Sequence, residues 1–138
     1  MSGTDLVSKW FEKATVDLRV AKRLLEDFYP KELEAACFHA QQSAEKALKA
    51  FLSYHNIEPP KTHDLIRLCQ MCEDCDDSFH EFIGACGYLT PYAVIVRYPD
   101  EIEIVESQAQ KAVKDAGDIY TRCADQVQKL RQSVQEQQ

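Results

Sequence analysis

Apolar side chains recur along the chain at intervals of three and four residues, the spacing that places them on one face of an α-helix. The pattern predicts five helices: at about 4–28, at about 31–55, from Thr62 to an acidic link at 73–77, at about 78–88 and at about 103–130. The sequence therefore predicts an all-α fold, an antiparallel up-and-down helical bundle of about five helices. It forms a single domain, 1–138, with a core at about 5–130 and a frayed tail at 131–138.

The predicted inner faces are apolar with one exception. The inward positions are Trp10, Phe11, Ala14, Asp17, Leu18, Ala21, Leu24, Leu25 and Phe28 in the first helix, Leu33, Cys37, Ala40, Ala44, Leu48 and Phe51 in the second, Leu65, Leu68, Cys69 and Cys72 in the third, and Val105, Ala109, Ala112, Ala116, Ile119, Cys123, Val127 and Leu130 in the last. The exception, Asp17, must find a cation or backbone donors, because an unpaired buried charge is costly. The alanine-rich second helix is predicted to lie at the centre, with a polar seam of Gln42, Glu45 and Lys49 beside its apolar face.

Residues next to the prolines suggest where two helices begin. Thr62 is predicted to cap the third helix, with Asp64 in its first turn, where a carboxylate favours the helix dipole. Thr90 and Pro91 are predicted to restart a helix. We interpret residues 92–96 as helical despite their β-prone composition, because a lone strand would have no partner in this chain.

Arg97 and His63 are candidate binding residues. Arg97 follows the apolar run at 92–96, and it is predicted either to form an internal salt bridge, for instance with Glu45 or Asp17, or to contact a ligand. His63 lies close to a predicted helix N-terminus, where it either packs or contacts an anion drawn to that terminus.

Charge and composition exclude several function classes. The net charge is −7, and residues 73–106 hold nine acidic residues against a single basic one. Broad nucleic-acid binding is therefore not expected, since phosphate backbones bind clustered Lys and Arg. The longest apolar run, 92–96, is too short to span a bilayer, and the first residues lack the features of a signal peptide, so a cytoplasmic location with reduced cysteines is expected.

No motif for catalysis, metal or cofactor binding emerges from the residues. Cys69, Cys72 and Cys75 have metal-like spacing, but an iron–sulfur run needs a fourth cysteine and position 79 is Phe79. A zinc site needs a second pair of ligands. Small buried thiols are the better interpretation. The four glycines are isolated, so no phosphate-binding loop is present. We therefore expect no catalytic residues, no metal and no cofactor.

Several short motifs together resemble the HEPN domain family. They are Asp17-Leu18 with Ala21, the run FHAQQSAEKALKA at 38–50, Pro59, Thr62-His63-Asp64-Leu65 and Arg97-Tyr98-Pro99-Asp100. The resemblance covers about residues 5–130. It implies a helical bundle that is commonly a homodimer, and two functional branches. Stand-alone members often work beside a minimal nucleotidyltransferase in a toxin–antitoxin pair, whereas others are metal-independent ribonucleases with an arginine followed, after four to six residues, by a histidine.

The chain departs from the ribonuclease pattern, because no histidine occurs after His80. Without it, the usual chemistry lacks its general acid/base. The leading expectation is a non-catalytic HEPN module that binds a nucleotide or a minimal nucleotidyltransferase through a surface comprising Lys46, Lys49, His63, Arg97 and Tyr98. In this hypothesis the structural polar residues are Asp17, Gln42, Glu45 and Asp64. The alternatives are a ribonuclease toxin with a non-standard site, such as Arg97 with His63, and a purely structural interaction domain.

Overall fold

The computed structural model describes residues 3–94, 99 and 103–137, and only the backbone of residues 3–5. Its α-helices are α1 (Gly3–Glu26), α2 (Leu33–Tyr54), α3 (Leu65–Cys75), α4 (Ile83–Leu89) and α5 (Glu106–Glu136), with short 3₁₀ helices at Asp77–Phe82 and Thr90–Ala93. The described part of the chain therefore contains three long and two shorter α-helices and no strand, which confirms the predicted all-α bundle. None of these helices combines the length and apolar character that crossing a bilayer requires.

Helix α2 lies at the centre of the bundle, as its alanine content predicts. It packs against α1, α3 and α5. Ala40, Ala44 and Ala47 are completely buried, which allows neighbouring backbones to approach closely. One consequence is that the buried Ser43 hydroxyl reaches across to α1 and donates a hydrogen bond to the Ala14 carbonyl oxygen at 2.8 Å. The central helix is thus held to α1 by packing and by a polar contact.

The predicted inner faces are largely confirmed, with three exceptions just outside a helix or in its last turns. Phe28 is exposed because it follows the last residue of α1, and Val105 is exposed because it precedes the first residue of α5. Leu130 is exposed because the inward face near the end of α5 passes through Val127 and Arg131 instead. The Arg131 guanidinium lies 5.6 Å from the ring centre of Tyr54.

The start of α3 differs from the prediction. The N-cap is Asp64, whose carboxylate accepts hydrogen bonds from the backbone N–H groups of Ile66, at 3.0 Å, and Arg67, at 3.3 Å. The Thr62 hydroxyl accepts from the Asp64 N–H instead. The prediction of Thr62 as the cap is therefore wrong, because the longer-reaching carboxylate satisfies the free donors of the first turn.

Three further boundaries differ. The predicted fourth helix begins as the 3₁₀ turn Asp77–Phe82 before α4. The prediction of helix through 92–96 is wrong at Val94, where the 3₁₀ segment gives way to extended backbone that suits a β-branched residue. Positions 95 and 96 lie outside the described residues. Helix α5 begins at Glu106 and continues to Glu136, so helical structure includes most of the tail that was predicted to fray.

The cysteines of the predicted metal-like spacing belong to the core. Cys69 and Cys72 are buried, and their thiols contact the backbone oxygens of Phe79 and Leu48. Cys75 is half-buried. Burial raises the pKa of the Cys72 thiol, which makes the thiolate that a metal needs less accessible. In the described ranges, no group of three or more potential ligands is arranged to hold a metal ion.

Candidate functional site

The polar seam of α2 is a hydrogen-bonded network around Glu45. The Glu45 side chain is only 6% exposed. One carboxylate oxygen accepts from the Lys49 ammonium at 3.1 Å, and the other lies 2.7 Å from Nδ1 of His63 and 3.3 Å from the amide nitrogen of Gln41. Both oxygens of the buried Glu45 carboxylate therefore have internal partners, as a buried charge requires.

His63 is the part of this network that reaches solvent. Its side chain is 69% exposed, although its Nδ1 is held by Glu45. The fully buried Gln41 donates a hydrogen bond to the His63 backbone oxygen at 3.2 Å, and Gln42 donates to Gln41 at 2.6 Å. A carboxylate that accepts from Nδ1–H leaves Nε2 as the basic nitrogen of the ring. The network can therefore present an oriented imidazole that accepts a proton or a hydrogen bond.

Lys49 is an internal residue and not a surface cation. Its side chain is 9% exposed, and its ammonium lies 5.6 Å from the ring centre of Trp10 on α1. An aromatic face is a favourable neighbour for a desolvated ammonium. The structure therefore places Lys49 where it neutralises Glu45, which in turn positions His63.

Asp17 forms a second, separate network with α2. Its side chain is 11% exposed, accepts from the Lys46 ammonium and lies 3.0 Å from Nδ1 of His39. The prediction that an inward aspartate must find a cation is confirmed. His39 was missed by sequence reasoning, although positions 39, 42 and 46 share one face of α2 and this spacing offered a signal.

The N-terminus of α3 offers few donors to a ligand. Asp64 already accepts from Ile66 and Arg67, and the Leu65 N–H donates to the Thr90 hydroxyl at 3.2 Å. The geometry therefore gives no support to the hypothesis that His63 contacts an anion held by this terminus.

The predicted site residues thus divide into two groups. His63 and Lys49 meet at Glu45, whereas Lys46 belongs to the Asp17 network. Arg97 and Tyr98 lie outside the described residues. The hypothesis that Arg97 pairs with Glu45 or Asp17 therefore stays a prediction, and both carboxylates have other partners.

Comparisons with known proteins agree with this architecture. A model of the HEPN domain matches residues 7–127. The crystal structure of TT1696 from Thermus thermophilus has 25% sequence identity and a TM-score of 0.74, covering 86% of this chain and 96% of that one. The crystal structure of ST0689, described as an archaeal HEPN homologue, has 25% identity and a TM-score of 0.67, covering 88% and 97%. No curated protein matches the chain. The family match spans the bundle from α1 to the buried part of α5, and the chain therefore belongs to the HEPN domain family.

Proposed function

We propose that this chain is a non-catalytic HEPN module that binds a nucleotide, a minimal nucleotidyltransferase partner, or both, as one half of a toxin–antitoxin pair. The non-catalytic part of the proposal follows from the sequence, which contains no arginine followed after four to six residues by a histidine. The chain has the HEPN fold but lacks the histidine that would serve as the usual general acid/base.

The observation that carries the proposal is the internal neutralisation of both carboxylates beside α2. The Glu45 carboxylate is paired with Lys49 and His63, and the Asp17 carboxylate is paired with Lys46 and His39. The cationic or neutral groups then lie nearer the surface than the carboxylates: the side chains of His39, Lys46 and His63 are 30%, 23% and 69% exposed. Partly exposed groups of this kind suit phosphate oxygens or a partner's carboxylates.

The proposed roles differ between these residues. His63 and Lys46 are the groups that contact a ligand or partner, while Lys49 acts through Glu45 as a positioning residue. Arg97 supplies a further cation and Tyr98 a stacking face in this proposal. The acidic residues at 73–77 keep long nucleic acids away through repulsion.

Co-purification and nucleotide binding test the proposal. We expect the tagged chain to copurify with the product of a neighbouring nucleotidyltransferase gene, or to gain thermal stability with a nucleotide such as ATP or AMP. His63→Ala should weaken either interaction, whereas Lys129→Gln, which removes an exposed cation on α5, should leave it unchanged. Isolation only as a lone homodimer, with no nucleotide-induced shift in melting temperature, would contradict the proposal.

A second candidate, a metal-independent ribonuclease, is favoured by one observation. The 2.7 Å contact between Glu45 and Nδ1 of His63 has the arrangement of a carboxylate that orients a general base. In this alternative His63 works with Arg97. It predicts cleavage of single-stranded RNA and growth arrest on expression, both lost in Arg97→Ala and His63→Ala. Intact RNA after incubation across a pH range of about 5 to 9, which brackets the ordinary pKa of histidine, would exclude it.

A purely structural interaction domain is the remaining alternative. In that case the Glu45 and Asp17 networks serve only to hold α1, α2 and His63 together. It predicts that His63→Ala changes neither nucleotide binding nor partner binding, which separates it from the leading proposal.

A further inference from the structure

Four buried cysteines lie together where α3, α4 and α5 meet. Cys69 and Cys72 are on α3, Cys86 is on α4 and Cys123 is on α5, and all four are completely buried. Within this cluster one pair is in direct contact, because the Cys86 thiol donates a hydrogen bond to the Cys69 sulfur. The Cys69 thiol in turn donates to the Phe79 backbone oxygen at 3.2 Å. Both sulfurs are therefore held in position.

The backbones of α3 and α4 approach each other closely around this pair. The Leu65 N–H at the start of α3 donates to the Thr90 hydroxyl just after α4, at 3.2 Å. A Cβ at position 87 would lie only 3.4 Å from the Ile66 side chain, so Gly87 allows α4 to pack tightly against α3. Gly87 is the neighbour of the α4 cysteine, and Ile66 is about one turn before the α3 cysteine. The register of the two helices thus brings the two thiols together.

The two thiols differ in how readily they ionise. The hydrogen bond from Cys86 lowers the pKa of the Cys69 thiol, although burial opposes this effect. The same hydrogen bond raises the pKa of Cys86. Burial raises the pKa of Cys72 and of Cys123. Because the thiolate is the reactive form, Cys69 is the member of the cluster that reacts first with an oxidant, and Cys86 is the thiol nearest to it.

We propose that Cys69 and Cys86 form a reversible disulfide between α3 and α4 when the chain meets hydrogen peroxide. The Cys69 thiolate attacks a peroxide oxygen and the O–O bond breaks, which leaves a sulfenic acid on Cys69. The released hydroxide takes up the proton that Cys69 had lost. The Cys86 sulfur then attacks the Cys69 sulfur, the S–O bond breaks, and the hydroxide leaves with the Cys86 proton as water. Two thiols and one hydrogen peroxide thus give one disulfide and two waters, with two electrons passing from sulfur to oxygen.

The local structure permits this reaction and gives it a consequence. Hydrogen peroxide is little larger than water and reaches buried thiols during local opening. Helix α4 has only seven residues, and helices this short hold their position weakly, so it can shift until the sulfurs are about 2.05 Å apart. The disulfide closes a loop at 69–86 that contains the 3₁₀ turn Asp77–Phe82. Closing this loop restricts the unfolded chain and therefore stabilises the fold. The inference goes beyond the proposed function and does not rest on it.

Oxidation of the reduced full chain with hydrogen peroxide, followed by mass spectrometry of peptides without reductant, tests this inference. We expect two peptides joined through Cys69 and Cys86 and a melting temperature raised by roughly 10 °C, both reversed by dithiothreitol. Cys69→Ala should abolish the cross-link and the shift. In Cys86→Ala, Cys69 should instead accumulate as a sulfenic acid that dimedone labels. Cys75→Ser, which removes the most accessible thiol, is the control and should retain both effects.

The peptide map of the wild type decides the outcome even where an alanine variant does not fold. A cross-link between any other pair of cysteines would overturn the inference. The same holds if no Cys69–Cys86 cross-link forms under conditions that oxidise Cys75. Equal dimedone labelling of Cys69 in the wild type and in Cys86→Ala would also overturn it, because Cys86 would then not react with the sulfenic acid.

Discussion

The buried ion pair between Glu45 and Lys49 makes the sharpest prediction about stability. Glu45→Leu removes the carboxylate but leaves the Lys49 ammonium in a position where its side chain is only 9% exposed. Removing one partner of a buried pair costs about 3–5 kcal/mol of unfolding free energy, because the remaining charge loses its compensation. For a chain of this size the loss corresponds to a fall in melting temperature of roughly 10 °C or more.

Two companion variants and a control test whether the loss of stability in Glu45→Leu comes from the uncompensated charge of Lys49. Lys49→Met should cost less than Glu45→Leu, because Glu45 keeps its contacts with His63 and Gln41. The double variant should regain most of the loss and come within about 1 kcal/mol of the wild type, since an apolar pair of similar volume replaces the ion pair. Glu12→Ala, an exposed glutamate in the middle of α1, serves as the control and should change stability by less than about 0.5 kcal/mol.

Urea and thermal unfolding of the four variants and the wild type measure these values, and the double-mutant cycle gives the coupling energy. A loss of unfolding free energy below about 1 kcal/mol in Glu45→Leu would refute the reasoning, because an uncompensated buried ammonium destabilises the fold by more than that. A double variant no more stable than Glu45→Leu alone would refute it as well, because the loss would then arise from packing.

Three further predictions concern single positions. Asn56 has a φ of 60°, so Asn56→Val should lower the unfolding free energy by about 1 kcal/mol or more, whereas Asn56→Gly should match the wild type in urea unfolding. Burial opposes ionisation of Asp76, but hydrogen bonds from Ser78 and Gln126 and the charge of Arg122 outweigh it, so the pKa of Asp76 is lowered. Its ionised form therefore stabilises the fold above its ordinary pKa of about 4, and the advantage of the wild type over Asp76→Ala should narrow as the pH falls below that value. Iodoacetamide should label Cys75 first, because it is half-buried whereas the other five thiols are buried, although burial and the nearby Asp74 and Asp76 raise the pKa of the Cys75 thiol and slow the reaction. Earlier labelling of a buried cysteine, detected by mass spectrometry of peptides, would contradict this.

Part of the candidate site could be predicted from local patterns. Asp17 stood out because it occupies an apolar stripe, and its need for a cation follows from the cost of burying a charge. Its partners could not be derived, because His39 and Lys46 are 22 and 29 residues away and meet it only through the register of α1 against α2. Lys49 was expected at the surface as a ligand contact, yet the packing of Trp10 against α2 encloses it.

The periodicity of apolar residues by itself determined the all-α bundle and the central position of α2, because amphipathic helices can bury their apolar faces only against one another. The sequence also identified the family through the order of its motifs, and it showed that the usual ribonuclease motif of an arginine and a histidine is absent. Only the tertiary structure decided which cations neutralise Glu45 and Asp17 and which residue caps α3. These outcomes depend on contacts between helices, and a polar residue with several suitable partners in the sequence acquires a single set of them only when the helices have packed.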